Sequence, residues 1–280
     1  MPNLRICKSN ALVEAAYRLT LGEHRVILAC IAQVRRDAPI SDQILYEVRA
    51  LEIAERSGIA RQTAYEELEK AAQTLFERYV SVPYSPDGGS PAKRKFRWVQ
   101  LVDYVPSDGL VRLQFTTAIL PYLADLSERY TIYSIADVAK MTSAYGVRLY
   151  ELLVQWRGVG YQREVELDWL RQVFQLEDRY PSIKDLKKWV IEPAVEQVNE
   201  HSPLHVTWDQ RKTGRKVSHL IFTFAPKEET KTNASTKHKA TPKQALDLEQ
   251  PRTLSEAELS RLAYPGESRE AALRRLNAVL

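Results

Sequence analysis

The chain has only two cysteines, Cys7 and Cys30, which excludes both a disulfide framework and the ligand spacing of a zinc module. No apolar run approaches the roughly eighteen residues that a membrane-spanning helix needs. The N-terminal MPNLRICKSN also lacks the apolar core of a signal peptide, so a cytoplasmic location without membrane contact is expected. There is no G-x-x-x-x-G-K-[ST] run to cradle phosphates, which excludes an NTP-driven helicase. The His–hydrophobic–His pair of DNA-nicking nucleases is missing too. The closest histidines, His201 and His205, are divided by Pro203 and are read as structural. Aspartate and glutamate are plentiful but form no cluster suited to two-metal chemistry, and none of the 14 tyrosines stands out as a nucleophile. The expectation is a non-enzyme with no cofactor and no metal.

What is present is a mildly basic chain of 280 residues with net charge +4 and pI near 8.9. Its hydrophobic content of 44% is enough for two domains, each with its own core. That charge is compatible with nucleic acid, and its distribution decides more than its sum.

The most informative stretch runs from Pro181 to Phe224. Ser182 with Asp185 three residues on reads as a capping-box-like helix start. Ile183, Leu186, Val190, Ala194 and Val198 then form one apolar face, with Lys184 and Lys188 opposite and Lys187 at the buried edge, where it must snorkel outward. Pro193 removes a helix hydrogen bond, so a kink or a split is expected there. A strand at Leu204–Trp208, a turn DQRKTGRK and a strand at Val217–Phe224 follow, with Gly214 supplying the permissive backbone. Arg211, Lys212, Arg215 and Lys216 are placed at the hairpin tip. Either element alone reads as a solvated face or a soluble turn. In succession, a cation-bearing helix and a cation-tipped hairpin read as a winged helix, the helix for a major groove and the wing for neighbouring phosphates.

PSIKDLKKWVIEPAVEQVNEHS, GRKVSHLIFTF, the earlier RLYELL and the N-terminal KSNALVEAAYRLTLGEHRVILACI together resemble the iteron-binding plasmid replication initiators, over roughly residues 8–225. The resemblance implies tandem winged helices that bind direct repeats at a plasmid origin. It also implies dimeric repressor and monomeric initiator forms.

In the first half, Thr20 and Glu23 form a capping box opening a helix to about Arg36. Leu12, Leu19 and Val26 stand at heptad spacing, but two heptad steps are too few for a zipper, and core packing is favoured. Ile44–Val48 reads as a strand, Leu51–Ser57 as a helix ending at Gly58, and Arg61–Phe76 as a longer helix, giving a helix-turn-helix. Glu66, Glu67 and Glu69 on the second helix repel phosphate, which leaves Arg61, Gln62, Thr63 and Tyr65 to face DNA. Val80–Tyr84 and Phe96–Val105 read as a hairpin around SPDGGSPAKRK, with Leu110–Phe115 as a third strand. Lys93, Arg94 and Lys95 would charge this first wing.

Ile119–Leu126 reads as a short helix and Arg129–Ser134 as the crossing between domains, with no flexible linker between them. Ile135–Trp156 reads as one long helix closed by Gly158 and Gly160. Val165–Leu167 is a strand, Asp168 a cap, and Trp169–Phe174 the helix before the reading helix.

Residues 227–253 lack apolar periodicity and read as disordered. Ser255 and Glu258, with Leu254 and Leu259, signal a helix to Ala263 that breaks at Pro265–Gly266. Arg269–Leu280 reads as a last amphipathic helix. QALDL at Gln244–Leu248 faintly resembles motifs that bind the bacterial sliding clamp but lacks their usual aromatic, so a solvated segment is favoured.

The expected fold is therefore α+β. It comprises a winged-helix domain at 1–129 for dimerisation and auxiliary DNA contact, a second at 130–226 as the main reader, and a partly disordered helical tail at 227–280. The expected function is plasmid replication initiation on double-stranded origin repeats. The partners would be a second copy in a monomer–dimer equilibrium and the host initiator, replicative helicase and primase. The alternatives are a dimeric winged-helix repressor and a DNA-nicking initiator enzyme.

Overall fold

The computed structural model describes residues 4–35, 40–84, 92–124 and 130–227. The expectations for 227–253, Gln244–Leu248 and the two tail helices fall outside the described residues, save Lys227. Among the described residues, no helix is long and apolar enough to cross a membrane.

Strand β1 (Arg5–Ser9) leads into the single turn α1 (Asn10–Val13), capped by the Ser9 hydroxyl, which accepts from Leu12 N at 3.2 Å. Helix α2 (Leu21–Ile31) opens with the expected reciprocal box: Thr20 N–H donates to Glu23 Oε2 at 2.6 Å, and Glu23 N–H to Thr20 Oγ1 at 3.3 Å. It stops at Ile31, short of Arg36, because Gln33 folds back. Its Nε2 donates to the carbonyls of Ala29 (3.0 Å) and Glu47 (2.9 Å), tying the helix end to the next strand.

There follow β2 (Tyr46–Arg49), α3 (Ala50–Ser57), α4 (Arg61–Leu75), β3 (Tyr79–Tyr84), β4 (Ala92–Arg97), β5 (Val99–Val105), a 3-10 turn at Pro106–Asp108, and β6 (Leu110–Phe115). Gly58 closes α3 with φ +68°, the left-handed cap that lets α4 turn back across it. The expected hairpin with a third strand proves to be two separate sheets. β3 pairs with β4 as a two-stranded ribbon, bridged at Ser81 to Ala16, whereas β5 joins a three-stranded sheet ordered β2-β6-β5. Between β4 and β5 the fully buried Trp98 breaks the strand, packing edge-on against Tyr17 with centroids 5.0 Å apart.

After α5 (Pro121–Ala124) comes β7 (Tyr130–Ser134). The expected crossing segment is thus a strand, antiparallel to β1 from Arg5↔Ser134 to Ser9↔Tyr130. The expected long helix is divided into α6 (Ala136–Ala139) and α7 (Ala144–Trp156). Ser143, extended at φ −119°, restarts it as an N-cap whose hydroxyl accepts from Gly146 N.

The rest is β8 (Gln162–Glu166), α8 (Leu167–Val173), α9 (Ile183–Leu186) running through a π turn at Lys187–Ile191 into α10 (Glu192–His201), then β9 (Leu204–Thr213) and β10 (Lys216–Pro226). Glu166 holds the N-cap position of α8, so Asp168 lies in its first turn and is not the cap. The second sheet is ordered β8-β10-β9. Helix–strand–helix–helix–strand–strand from α2 therefore repeats from α7, with the same strand order in both sheets. Two tandem winged helices result, the first interrupted by the β3–β4 ribbon.

The RLYELL run is explained by the layer between them. Arg148, Tyr150 and Glu151 of α7 sit in a buried polar centre. Glu151 accepts from Lys8 Nζ (2.6 Å), Tyr133 OH (2.5 Å) and Tyr17 OH (3.2 Å), while Arg148 donates to Tyr17 OH (2.5 Å) and the Ala15 carbonyl (2.8 Å). Tyr150 OH donates to Asp137 Oδ2 at 2.6 Å, which also accepts from Ser134 N. Burial would push the Glu151 carboxyl up; the charges of Lys8 and Arg148 outweigh it and hold the group at about 2. Residues 4–227 accordingly pack around one continuous core. Leu12, Leu19 and Val26 are buried in it from three different segments, which rules out the zipper.

Candidate nucleic-acid interface

In the second winged helix, α9–α10 buries Leu186, Val190, Ala194 and Val198 and half-buries Ile183. The Ser182 hydroxyl caps the start by accepting from Lys184 N at 3.2 Å, one residue earlier than a capping box with Asp185 would place it. Pro193 offers no N–H to the carbonyl of Trp189. The helix takes this up in the wide turn ahead of the proline, where Glu192 N–H reaches back five residues to the Lys187 carbonyl. The helix is widened there and does not split. Lys184 and Lys188 are exposed, and Lys187 snorkels with Nζ 5.5 Å from the Trp208 ring centroid.

The hairpin is longer than the sequence suggested. β9 and β10 stay paired out to Thr213↔Lys216, leaving Gly214 (φ +63°) and Arg215 as a two-residue turn. Lys212, Arg215 and Lys216 are exposed at that tip. Arg211 is not part of it: its side chain lies on the sheet and pairs with Glu164 of β8.

In the first winged helix, Arg61, Gln62 and Thr63 are exposed at the start of α4, with Gln62 Nε2 donating to Glu66 at 2.8 Å. Glu67 is neutralised by Arg25 at 2.5 Å, so Glu66 and Glu69 carry the exposed negative charge. Tyr65 is half-buried with its ring against Gly109, where a Cβ would stand 2.2 Å from Cε1. It anchors the helix to the β5–β6 turn.

The assignment of the first wing is corrected by the sheet order. The strand equivalent to β9 is β5, so the wing tip is the turn at Pro106–Gly109, which bears Asp108 and no cation. Lys93, Arg94 and Lys95 belong to the inserted ribbon. Lys93 is exposed, Arg94 lies 4.3 Å over Tyr84, and Lys95 lies 3.4 Å over Tyr79. The sequence hid this because β4 and β5 are separated by one residue and read as a single strand.

The first reading helix exposes Arg61, Gln62 and Thr63 in its first turn and Glu66, Glu69 and Lys70 further on, whereas the second exposes Lys184 and Lys188 around Asp185, with Glu192 and Glu196 further on. Cations toward the N-terminal end of each suit entry of that end into a major groove. Trp189 is 56% exposed and has no counterpart among the expected site residues. Its place between Asp185 and Glu192, away from the apolar stripe, was the available signal.

Two family models cover this architecture: "Initiator Replication protein, WH1" matches residues 5–154, and "Initiator Rep protein, WH2" matches residues 166–224. The chain belongs to this initiator family. It is similar to a replication initiation protein of Escherichia coli, 29% identical over 79% of this chain and 70% of that one. An uncharacterized 27.6 kDa Escherichia coli protein is 24% identical over 78% of this chain and 94% of its own length. A crystal structure of the Pi initiator protein in complex with iteron DNA shares the fold, with a TM-score of 0.68 and 21% identity, covering 82% of this chain and all of that one. Within the initiator family frame, the first model extends through β7, α6 and most of α7, so it includes the buried polar centre. Neither model reaches past residue 224.

Proposed function

We propose that this initiator binds directly repeated double-stranded sites, iterons, at a plasmid origin and starts replication there. The observation that carries this reading is the exposed set Lys184, Lys188, Lys212, Arg215 and Lys216, which puts a reading helix and a wing of one charge on one small domain. The second domain is the main reader. The first adds Arg61, Gln62 and Thr63 and serves self-association. Because both domains share one packed core, binding holds the DNA in one imposed path, and the deformation energy helps open an adjacent AT-rich segment. Host initiator, replicative helicase and primase supply the catalysis, and the chain itself performs none. Selection of bound duplexes from a random pool, followed by a search of the DNA beside this gene, tests the reading. Tandem copies in one orientation, with strand opening on supercoiled DNA when host proteins are added, are the expected result. A lone inverted pair with no opening would make the protein a repressor, and metal-dependent nicking would make it an enzyme.

A further inference from the structure

A groove of about 510 Å³ lies on the flank of the second reading helix away from the wing. Lys187 and Trp189, two positions apart, leave opposite sides of that helix. Lys187 leans on Trp208 of β9, on the wing side, while Trp189 lines the groove. The opposite wall comes from the first winged helix, as Arg18 and Arg78. The floor is Ser143–Tyr145, the N-cap and first residues of the 13-residue α7, where backbone N–H groups lack intrahelical acceptors.

The charges here are largely uncommitted. Arg18 is exposed, and no carboxylate pairs with it among the described residues. Among the described residues Arg78 gives only its Nε to Glu23 Oε1, at 2.7 Å, and its terminal nitrogens make no hydrogen bond there. Two lining residues touch further cations: Arg179 donates to Tyr145 OH at 3.3 Å as well as to Tyr180 OH, and Lys188 stands 4.7 Å over the Trp189 ring. Two arginines of the first domain therefore line one trough beside an exposed indole of the second.

We infer that this groove is a phosphate clamp, in which Arg18 and Arg78 hold the sugar–phosphate backbone of duplex DNA on the flank of the reading helix opposite the wing. The inference rests on the duplex-binding reading above and adds a sequence-independent contact between the domains. Such a contact positions the duplex and reads no base. Charge complementarity selects the occupant, and the planar Trp189 gives a sugar edge an apolar wall to lie against.

The test uses the full chain with Arg18→Ala, Arg18→Glu and Arg18→Lys, since Arg78 also supports Glu23. Each is titrated over a salt series against the selected repeat duplex, an unrelated duplex and a single strand. Circular dichroism confirms folding, which an exposed, unpaired side chain should not disturb. Arg18→Ala should weaken both duplexes alike, by about 3- to 10-fold, and lower the log–log salt slope by about one. Arg18→Glu should weaken them further, and Arg18→Lys should restore most of the loss. Tight wild-type binding with unchanged Arg18 variants overturns the clamp and leaves the proposed function standing. Loss confined to the single strand, or to the repeat sequence alone, also overturns it. A wild-type protein that holds no duplex at all overturns both readings.

Discussion

Lys8 and Glu151 meet at 2.6 Å across 143 residues of chain, and neither side chain reaches solvent. The pair joins the first strand to the first helix of the second winged helix, with Tyr17, Tyr133 and Arg148 completing the satisfaction of the carboxylate. A buried pair of this kind is weak evidence of stabilisation when compared with an apolar replacement, but removing one member strands the other. Its role here is to fix how the two winged helices pack.

Glu151→Gln should therefore cost about 3–5 kcal/mol, because it leaves Lys8 and Arg148 charged and buried without their counter-ion. Urea unfolding measures it. A loss below about 1 kcal/mol would mean that water reaches the site and that the pair does not lock the domains.

Acid should unfold the protein in two windows. Burial pulls the His24 imidazole down to about 4; its Nδ1 faces the Thr20 carbonyl at 3.1 Å, and its Nε2 has no partner among the described residues. Below the ordinary histidine value of about 6.5 the unfolded chain takes up a proton that the folded chain refuses, so stability falls as pH drops toward about 4. Glu151 is depressed from 4.5 to about 2, so its contribution is present above about 4.5 and is lost as pH falls through about 2. Each window is worth about 3 kcal/mol. Stability measured against pH in the His24→Phe variant should lose the upper window and keep the lower.

Much of this was legible in the sequence, and the exceptions have physical causes. The Thr20–Glu23 box, the Gly58 turn and the apolar stripe of the second reading helix depend on neighbours three or four residues apart, and they appear as expected. Sheet membership does not depend on such neighbours. Whether Lys93–Lys95 forms a wing is decided by β5 pairing with β6, a fact of long-range register. The Arg211–Glu164 pair and the Arg25–Glu67 pair are likewise long-range, and they removed one cation from the expected tip and one acid from the first reading helix. The π turn before Pro193 reflects a missing donor, which the sequence does show, but how the helix absorbs it depends on what packs beneath.

The Tyr65–Gly109 contact gives a local test of the first winged helix. Gly109 sits at φ +54°, and any Cβ there meets the tyrosine ring. Gly109→Ala should cost at least about 2 kcal/mol, of which about 1–2 is left-handed strain. Adding Tyr65→Ala should remove the clash but not the strain. Additive costs in this double-mutant cycle would show that the ring does not rest on the turn.

The two sets of cations should separate in binding. Lys184→Ala with Lys188→Ala is expected to cost about 1–3 kcal/mol per lost contact on the repeat duplex. Neutralising Lys93, Arg94 and Lys95 should leave affinity for the repeat nearly unchanged, because they lie in the inserted ribbon and not at a wing tip. Fluorescence anisotropy on one repeat checks both. Equal losses from the two sets would put the ribbon on the DNA after all.

The last expectation concerns the exchange between reading DNA and self-association by the first domain. Its reading helix exposes Glu66 and Glu69 beyond the first turn and its wing carries Asp108, so in the proposed reading its DNA contact comes from Arg61, Gln62 and Thr63. Yet β1 is paired to β7 along five residues, and α7 is tied to β1 through the buried ion pair, so the angle between the two reading helices is held firmly. A monomer should therefore place both helices on one face of the duplex, in successive major-groove turns about 10 base pairs apart. Changing that angle for a dimer requires opening the buried centre, so Glu151→Gln should shift the population toward whichever form lacks it. Footprinting a monomer on a single repeat, with sedimentation of both proteins, reads the two effects together. Protection of two segments in the wild type, with an altered oligomer distribution in Glu151→Gln, is expected. Protection confined to one major-groove segment, unchanged when Arg61, Gln62 and Thr63 are all replaced by alanine, would remove the first domain from DNA recognition and leave it a dimerisation module.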